Sequence, residues 1–508
     1  MLRFILFTAL FELPLLLMAQ DAGAVIRSNA VDMVPKSEVM QIATTDSVTY
    51  FVTKPGRIAR TAQWRLLRLS DNGRTLVAKP VDLDGVVGLP NVVALVLRGE
   101  RLYLLLAELD KYVYTYTYYV RAYDARSLKP IGPIRYLAKI TDVKLRDPMY
   151  VSISINRKDG VYVIANKMTP RKGKGPDRLT VIRLDNQMRV TEETVHALTT
   201  PAGDPIRTNL GPVAEDGTLY LPGHTEARPN PLADLAPNEH FLVALPPGGA
   251  PPRLVPLEER QQRLSGDRLT LTPDNRALLF AGTTHDPNNR AATTGYFTKT
   301  FTLPDLTEVD HTNVFFALDQ QSYGLTGSSV PDAGSLLKVM HDHQLKVGDR
   351  LPNGDHLLMG YRTYDDELRI KGKFTPVFHY RDLVVTRLAP DGTLRYVRLI
   401  PMHGTRFKGH WSLGGVRSVV GDKAVHLIFN DDRRNAGRFT SLPKKLKQPE
   451  DMHPRLVTIG EQGQPTERDF VFTGQLTPHR IFNNEAGDEL FYLNISPDGR
   501  ATAHTIKL

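Results

Sequence analysis

The chain has 508 residues, 41% of them hydrophobic, so it is long enough to bury a sizeable core. Its 64 lysines and arginines outnumber its 55 aspartates and glutamates, and the formal net charge of +9 weakly favours anionic partners through long-range attraction. The chain contains no cysteine, which excludes disulfides, thiol catalysis, cysteine-based zinc sites and a lipid anchor on cysteine.

The first residues have the pattern of a secretory signal. Arg3 supplies a positive charge, residues 4–17 form an apolar run, and cleavage is expected after Ala19 or, in an Ala-x-Ala pattern, as late as Ala24. The run is too short for an ordinary membrane span, and no later segment is apolar over the length that a span needs. We therefore expect residues 1–19 to be a signal peptide. The mature chain would be exported to the periplasm or the extracellular space, without a transmembrane segment.

The rest of the chain repeats one pattern: a strand, a tight turn and a second strand. The clearest copy is Leu383–Ile400, where alternating residues flank Pro390-Asp391-Gly392. Proline presets φ in such a turn, and glycine tolerates positive φ. Alternation of this kind indicates strands with two different faces. Seven more hairpins of this type are predicted, with turns at Asn72, Ala125, Asn186, Gly248, Asp305, Gln462 and Asp498.

The spacing of these hairpins predicts the fold. Successive turns are about 60 residues apart, and the intervals contain further strand patterns before each hairpin. Four short antiparallel strands repeated radially are the blades of a β-propeller, whereas sandwich domains would need about 100 residues each. We therefore predict an all-β fold, a single β-propeller of four-stranded antiparallel blades over residues 24–508.

The number of blades depends on how the ring closes. Only three strands can be placed after Phe472, and Ala24–Val31 could supply the fourth strand of that last blade. Such a closure would tie the two ends of the chain together and remove an exposed edge. It favours eight blades, with seven as the alternative.

Two segments depart from the repeat. The longest interval, between Asp305 and Asp391, predicts an insertion near residues 312–350, and loops of this length inside a compact fold are often functional. The second segment is the connection Met402–Gly415. We expect these two segments to flank any functional site.

Short stretches resemble a known repeat family. LTPDNRALLFAG at Leu271–Gly282 and ISPDGRATAHT at Ile495–Thr505 resemble the TolB-type (WD40-like) β-propeller repeat, whose core reads Ser-Pro-Asp-Gly followed by a strand. The resemblance implies a propeller and no specific activity. Proteins with such repeats include periplasmic scaffolds and peptidases. A peptidase is excluded here, since the chain has no Gly-x-Ser-x-Gly elbow and no α/β segment after the repeats.

The connection Met402–Gly415 contains the first group of candidate binding residues. A loop tryptophan flanked by cations could stack on a sugar or an aromatic ligand. Alternatively, the tryptophan plugs the gap between two blades, since large aromatic side chains are usually mostly buried. The candidates are His403, Arg406, His410 and Trp411.

A row of tyrosines forms the second group. Tyr112, Tyr114 and Tyr116 fall on one face if Asp110–Asp124 is a continuous strand. Such a row could be a platform for a glycan, because each ring offers an apolar face and a polar tip. Tyrosines are also ordinary strand residues that pack in cross-strand pairs, which is the alternative.

The third candidate is a metal site. His341 and His343 are separated by one residue and would point the same way on a strand, so they could share a metal ion with a carboxylate from elsewhere. A motif this short also occurs by chance on surfaces and in cores.

Two classes of function remain. The first is an exported binding protein or scaffold, a monomer, that recognises an envelope protein, a peptide or an anionic glycan. The second is a propeller hydrolase or lyase with a His/carboxylate site in the central channel, working with or without a metal ion. The basic runs lack interleaved aromatic residues, which together with export argues against nucleic acid. The sequence assigns no cofactor.

Overall fold

The protein is built from β-strands. The computed structural model describes residues 25–33, 38–44, 48–54, 64–70, 73–86, 90–110, 112, 115–141, 151–155, 162–168, 178–209, 211–225, 239–257, 263–272, 274–286, 289–315, 343–351, 353–370, 373–407, 416–421, 423–437, 439, 452–468, 481–483, 489–495 and 500–508. Within these residues it contains 33 strands and a short 3-10 helix at Arg433–Asn435. No helix in the described part is long and apolar enough to cross a membrane.

The strands form eight antiparallel sheets of four strands, which we number as blades 1 to 8 and whose strands we letter A to D from the inside. Blade 1 consists of β3 Glu38–Thr44, β4 Thr49–Lys54, β5 Arg65–Leu69 and β6 Leu76–Pro80, and blade 2 consists of β7 Asn91–Arg98, β8 Arg101–Asp110, β9 Thr115–Asp124 and β10 Pro130–Ile140. Blade 3 consists of β11 Val151–Ile155, β12 Tyr162–Met168, β13 Arg178–Leu184 and β14 Val190–Ala197, and blade 4 consists of β15 Ile206–Thr208, β16 Leu219–Thr225, β17 His240–Leu245 and β18 Arg253–Pro256. Blade 5 consists of β19 Arg263–Leu271, β20 Ala277–Asp286, β21 Asn289–Thr302 and β22 Glu308–Phe315, and blade 6 consists of β23 His343–Arg350, β24 His356–Ile370, β25 Lys373–Leu388 and β26 Leu394–Phe407. Blade 7 consists of β27 Val416–Val420, β28 Ala424–Asp432, β29 Met452–Gly460 and β30 Pro465–Arg468. Blade 8 consists of β31 Ile481–Asn483, β32 Glu489–Ile495, β33 Arg500–Lys507 and β1 Val25–Arg27, and β2 Val31–Asp32 also pairs with β33.

Blade 8 closes the ring with strands from both ends of the chain. β1 pairs antiparallel with β33, with Val25 opposite Ile506 and Arg27 opposite His504. Ser28 strengthens the joint, because its hydroxyl accepts the Ala503 N–H at 2.9 Å. The prediction of eight blades closed by the N-terminal segment is therefore confirmed.

Eight hydrophobic clusters fill the spaces between neighbouring blades. Each cluster takes its side chains from two successive blades, and the last joins blade 8 to blade 1 through Leu493 and Phe51. The segment Leu383–Leu388 shows why its sequence fits: Leu383 and Val385 pack against blade 7, whereas Val384 packs against blade 5. Both faces of the strand are buried, and each such side chain contributes about 1.5–3 kcal/mol.

Seven of the predicted turns join strands C and D of their blades, as at Pro390-Asp391-Gly392 in blade 6. Gly392 has a φ of 81°, and the Thr393 N–H donates to the Asp391 carboxylate at 2.9 Å. The turn at Asp498 differs, because it lies between β32 and β33, which are strands B and C of blade 8. The reason is that strand D of that blade comes from the other end of the chain.

Side chains on or next to the outer strands join blade 4 to blade 5, blade 6 to blade 7 and blade 8 to blade 1 by hydrogen bonds. Arg253 of strand D in blade 4 donates to the carbonyls of Pro304 and Asp305 in the C–D turn of blade 5, at 3.1 and 2.9 Å. Arg398 of blade 6 donates in the same way to Gly463 O of blade 7 at 2.8 Å. Asn29, which follows β1 in blade 8, pairs with both backbone polar groups of Leu76, at 2.6 and 3.1 Å. These contacts add directional bonds to the apolar packing of the ring.

The expected insertion at 312–350 begins and ends in strands. Thr312–Phe315 belongs to β22, and His343–Arg350 is β23, the innermost strand of blade 6. Residues 316–342 lie outside the described residues. β22 ends and β23 begins at the same end of the ring at which β26 ends and β27 begins.

Candidate functional site

Blade 6 has the longest strands among the described residues, and they extend past its inner strand. The first residue of β23, His343, pairs with Arg362 of β24, yet β24 and β25 stay paired as far as Ile370 and Lys373. The residues of β24 beyond Arg362 therefore continue for roughly 26 Å at about 3.3 Å per residue. We call residues 362–370, 373–381 and 403–407 the arm. It leaves blade 6 at the end where β23 begins and β26 ends.

The two faces of the arm differ in chemistry. On one face Phe378 and Tyr380 pack with Tyr361 into the apolar cluster between blades 6 and 7, with Tyr380 at 5.2 and 5.6 Å from the other two rings. On the opposite face the strand register brings together charged, imidazole and hydroxyl side chains. We call this the polar face; its residues are Arg362, Tyr364, Asp366, His379, Arg381, His403 and Thr405.

His379 lies at the centre of the polar face and is fully buried. Its Nε2 is 3.3 Å from Asp366 Oδ2, and its Nδ1 is 3.0 Å from Thr405 Oγ1. An ionised carboxylate can only accept, so Nε2 donates the proton and Nδ1 accepts the Thr405 hydroxyl. The imidazole is thereby held in one tautomer and orientation. Thr405 is only 1% exposed, so its hydroxyl orients the ring and is not placed to attack a substrate.

Aromatic rings extend this row along the face. The Tyr364 ring lies 4.9 Å from His379, and the guanidinium of Arg362 lies 5.0 Å from the Tyr364 ring centre. His403 packs edge-on against His379 at 5.0 Å. These contacts restrict the rotamers of four neighbouring side chains, which is the kind of preorganisation that a binding or catalytic site requires.

A bulge in β25 gives the base of the arm an unusual carboxylate. The β24–β25 register shifts next to Asp382, which adopts a left-handed φ of 52°. Its side chain is buried, and Oδ2 lies 3.4 Å from the Arg381 Nε. Burial raises the pKa of Asp382 to about 6, although Arg381 opposes the shift. Bulges and left-handed residues of this kind are concentrated at functional sites.

A buried ionic network fixes the arm to blade 7. Asp431, at the end of β28, accepts the His403 N–H at 3.2 Å, the Asn435 amide at 2.8 Å and Arg455 Nη1 at 2.9 Å. Arg455 also binds Glu467 with two bonds of 2.9 Å. Burial raises the pKa of Asp431, and Arg455 counteracts that rise. The network therefore holds the backbone of β26 where the polar face begins.

Of the residues predicted in the connection Met402–Gly415, His403 belongs to the polar face. It is 3% exposed and lies on β26 rather than in a loop, since that strand continues to Phe407. Arg406 is on the same strand, and its side chain is not described. His410 and Trp411 lie outside the described residues, so their roles stay predictions. The other tryptophan, Trp64, is buried between blades 1 and 2.

The tyrosine row is not one continuous exposed surface. Tyr112 lies in the turn between β8 and β9 and is 95% exposed, whereas Tyr116 lies on β9 and is 5% exposed. Tyr116 and Tyr118 pack between blades 2 and 3, with ring centres 6.4 Å apart. Tyr114 lies outside the described residues. The hairpin bend separates the residues that a single strand would have aligned.

His343 occupies the first position of β23 and is buried. Its Nε2 is 2.6 Å from the Tyr296 hydroxyl, and burial lowers its pKa to about 3, so the ring is neutral. His341 lies outside the described residues, and the shared metal site stays a prediction. Within the described part of the chain, no group of three or more His, Cys, Asp or Glu side chains could hold a metal ion.

The sequence reasoning missed most of the polar face. Arg362, Tyr364 and Asp366 alternate along β24, and His379 and Arg381 alternate along β25. This alternation of polar residues at every second position is the sequence signal that could have located the polar face. It became informative only with the cross-strand register, which brings two short polar patterns side by side.

Comparisons with known proteins identify no family. No family model matches the chain, and a search of curated proteins also finds no match. The Dos1 propeller aligns with a TM-score of 0.42 at 8% identity, covering 96% of this chain and 96% of that chain. Prolyl oligopeptidase B from Galerina marginata aligns with a TM-score of 0.41 at 11% identity, covering 92% of this chain and 54% of that chain.

The α-L-arabinofuranosidase Arb93A from Fusarium graminearum aligns with a TM-score of 0.34 at 11% identity, covering 72% of this chain and 95% of that chain. Similarities at this level carry no argument about function. The arrangement of its own eight antiparallel sheets shows that the protein is an eight-bladed β-propeller.

Proposed function

We propose that the protein is an exported β-propeller binding protein that recognises a protein, peptide or glycan through the polar face of the blade 6 arm. The observation that carries the proposal is the assembly of Arg362, Tyr364, Asp366, His379 and Arg381 on one face of a rigid sheet extension. Preorganised side chains reduce the entropy lost when a ligand binds. Half-buried Tyr364 and Asp366 offer polar atoms at the rim of this face.

We also propose that the protein is exported and that its blades are TolB-type repeats. The signal pattern of residues 1–19 supports export to the periplasm or the extracellular space. The Pro-Asp turns support a TolB-type repeat, and the closed ring is consistent with a monomer. An exported scaffold of this kind would meet envelope proteins, peptides and acidic glycans.

Binding can be tested with glycan and peptide arrays probed with the purified mature protein. We expect a defined set of ligands to be retained, and Tyr364→Ala or Asp366→Asn to reduce their binding at least about tenfold. The matched control is Val195→Thr, an exposed site on β14 far along the chain from the arm. Binding that is absent, or that these two substitutions leave unchanged, would contradict the proposal.

A hydrolase or lyase is the second candidate, and the Asp366–His379 pair favours it. Both ring nitrogens of buried His379 are hydrogen-bonded, so the group of this pair that could transfer a proton is the partly exposed Asp366 carboxylate, which His379 positions. The pair lies on the arm of blade 6 rather than on the inner strands that line the axis. Enzymatic turnover of polysaccharides or peptides that His379→Gln abolishes would establish it, whereas binding without turnover would leave the binding protein.

A further inference from the structure

The space between blades 5 and 6, which we call the seam, is bordered by polar as well as apolar side chains. On the blade 5 side, Tyr296 of β21 belongs to the apolar cluster that joins the two blades. Residues two and four positions apart on a strand share a face. Thr298 and Thr300 of β21 therefore face blade 6, as Tyr296 does.

The blade 6 side of the seam carries two more polar side chains. Leu358 of β24 and Val384 of β25 belong to the same apolar cluster. By the same alternation, His356 of β24 and Thr386 of β25 face blade 5. Four polar side chains, two from each blade, thus point into one seam.

All four side chains are buried, yet their polar atoms lack protein partners. Thr298, Thr300, His356 and Thr386 are 1%, 5%, 1% and 0% exposed. The three threonine hydroxyls and the Nδ1 atom of His356 have no hydrogen-bond partner among the described residues. Buried polar atoms in folded proteins nearly always bond either to protein or to ordered water. The concentration of four such atoms in one seam therefore calls for a bound partner.

The charged residues around His356 show what kind of partner fits. Arg350 of β23 is its cross-strand neighbour, and half-buried Asp310 of β22 lies opposite Thr300. Burial lowers the pKa of His356 and Arg350 lowers it further, whereas Asp310 and Asp355 oppose the shift. The ring is therefore neutral at pH 7, with one donor and one acceptor nitrogen. A threonine hydroxyl likewise both donates and accepts, so the partner must do both as well.

We propose that the seam between blades 5 and 6 binds internal water molecules through Thr298, Thr300, His356 and Thr386. Water can donate and accept, and a buried water typically makes about three hydrogen bonds to otherwise unsatisfied groups. An organic ligand would need an opening to solvent, whereas these four side chains are almost completely enclosed. The site is distinct from the polar face of the arm, so the inference does not rest on the proposed function.

A crystal structure of the mature protein that resolves ordered solvent tests the proposal directly. We expect water oxygens about 2.7–3.0 Å from the hydroxyls of Thr298 or Thr300 on one side of the seam and of Thr386 on the other. Water that is missing from either side would overturn the proposal.

Urea titration of Thr298→Val, Thr300→Val and Thr386→Val provides an independent test, because valine keeps the shape of threonine and removes only the hydroxyl. Where the hydroxyl binds water, the substitution removes a hydrogen bond and leaves the water with one partner fewer, so the urea midpoint should fall. Where the hydroxyl has no partner at all, the substitution removes an unsatisfied polar group, and the midpoint should rise. The direction of the shift therefore distinguishes a hydrated seam from a dry one.

Two reference variants calibrate the shift. Thr293→Val removes a buried hydroxyl that donates to the His343 carbonyl at 3.1 Å, and gives the fall expected for a satisfied hydroxyl. Thr307→Val makes the same change at an exposed position and should leave the midpoint nearly unchanged. We expect at least two of the three seam variants to fall about as far as Thr293→Val. A midpoint that is unchanged or raised in two or more of them would overturn the assignment.

Discussion

Arg455 offers the sharpest test of how the arm is held. Its side chain is completely buried, between Asp431 with no exposed surface and Glu467 with 11%. Three hydrogen bonds of 2.9 Å join it to the two carboxylates, and its guanidinium lies 5.2 and 5.8 Å from the rings of Phe429 and Phe439. Arg455→Met keeps most of the apolar volume and removes the charge and the donors.

The expected loss is about 3–5 kcal/mol in the free energy of unfolding, because the substitution leaves Asp431 buried without its cationic partner. Urea unfolding followed by both circular dichroism and tryptophan fluorescence would measure it, provided that the two transitions coincide. The double variant Arg455→Met/Asp431→Asn should be less destabilised than Arg455→Met, because it no longer buries that unpaired charge.

Arg189→Met is the matched control, since its ion pair with Asp185 is 62% exposed on the arginine side. Exposed pairs contribute about 0–1 kcal/mol, so this variant should unfold almost as the wild type does. If Arg455→Met also lost less than about 1 kcal/mol, or if the double variant were no better than the single one, the network would not fix the arm as described.

Three further predictions concern pH, a turn and the closure of the ring. Because His343 has a lowered pKa in the folded state, its contribution to stability is present above pH 6.5 and is lost as the pH falls from 6.5 toward 3. In urea titrations across that pH window, His343→Asn should reduce the slope of the free energy of unfolding against pH. Gly463 has a φ of 76°, and an added Cβ would lie 2.6 Å from Tyr396, so Gly463→Ala should lower the free energy of unfolding by about 1–3 kcal/mol. Gly460→Ala is the control, because a Cβ there meets open space and should leave the urea titration nearly unchanged. Asn29→Ala removes both bonds between the closing segment and blade 1, and should lower the urea midpoint by an amount equivalent to about 1–3 kcal/mol; an unchanged midpoint would show that β1 and the apolar packing suffice.

Local chemistry made most of the fold predictable. Turn residues such as Asp391 and Gly392 favour a tight reversal of the chain whatever surrounds them, and seven of the eight predicted turns join strands C and D. The exception, Asp498, marks what local chemistry cannot supply. The same turn residues suit a B–C hairpin equally well, and only the pairing of β1 with β33 decides which hairpin it is.

The candidate site could be predicted only in part. Both irregular segments include residues of blade 6, and His403 lies in one of them; that the two segments flank a binding site stays a prediction. The tyrosine platform stays a prediction, but its residues do not share one strand, because β8 ends at Asp110, which pairs with Thr115, the first residue of β9. Arg362, Tyr364, Asp366, His379 and Arg381 each look like ordinary alternating strand residues until the register places them together.

The sequence by itself therefore predicted the repeated hairpin and favoured eight blades, closed by the N-terminal segment, over seven, since these follow from turn chemistry, alternation and spacing along the chain. The tertiary structure alone decided which side chains meet. His379 and Asp366 are separated along the chain but adjacent across two strands, and Arg455 reaches Asp431 from the neighbouring strand of the same blade. Contacts of that kind depend on strand register and bulges, which arise from packing over the whole blade.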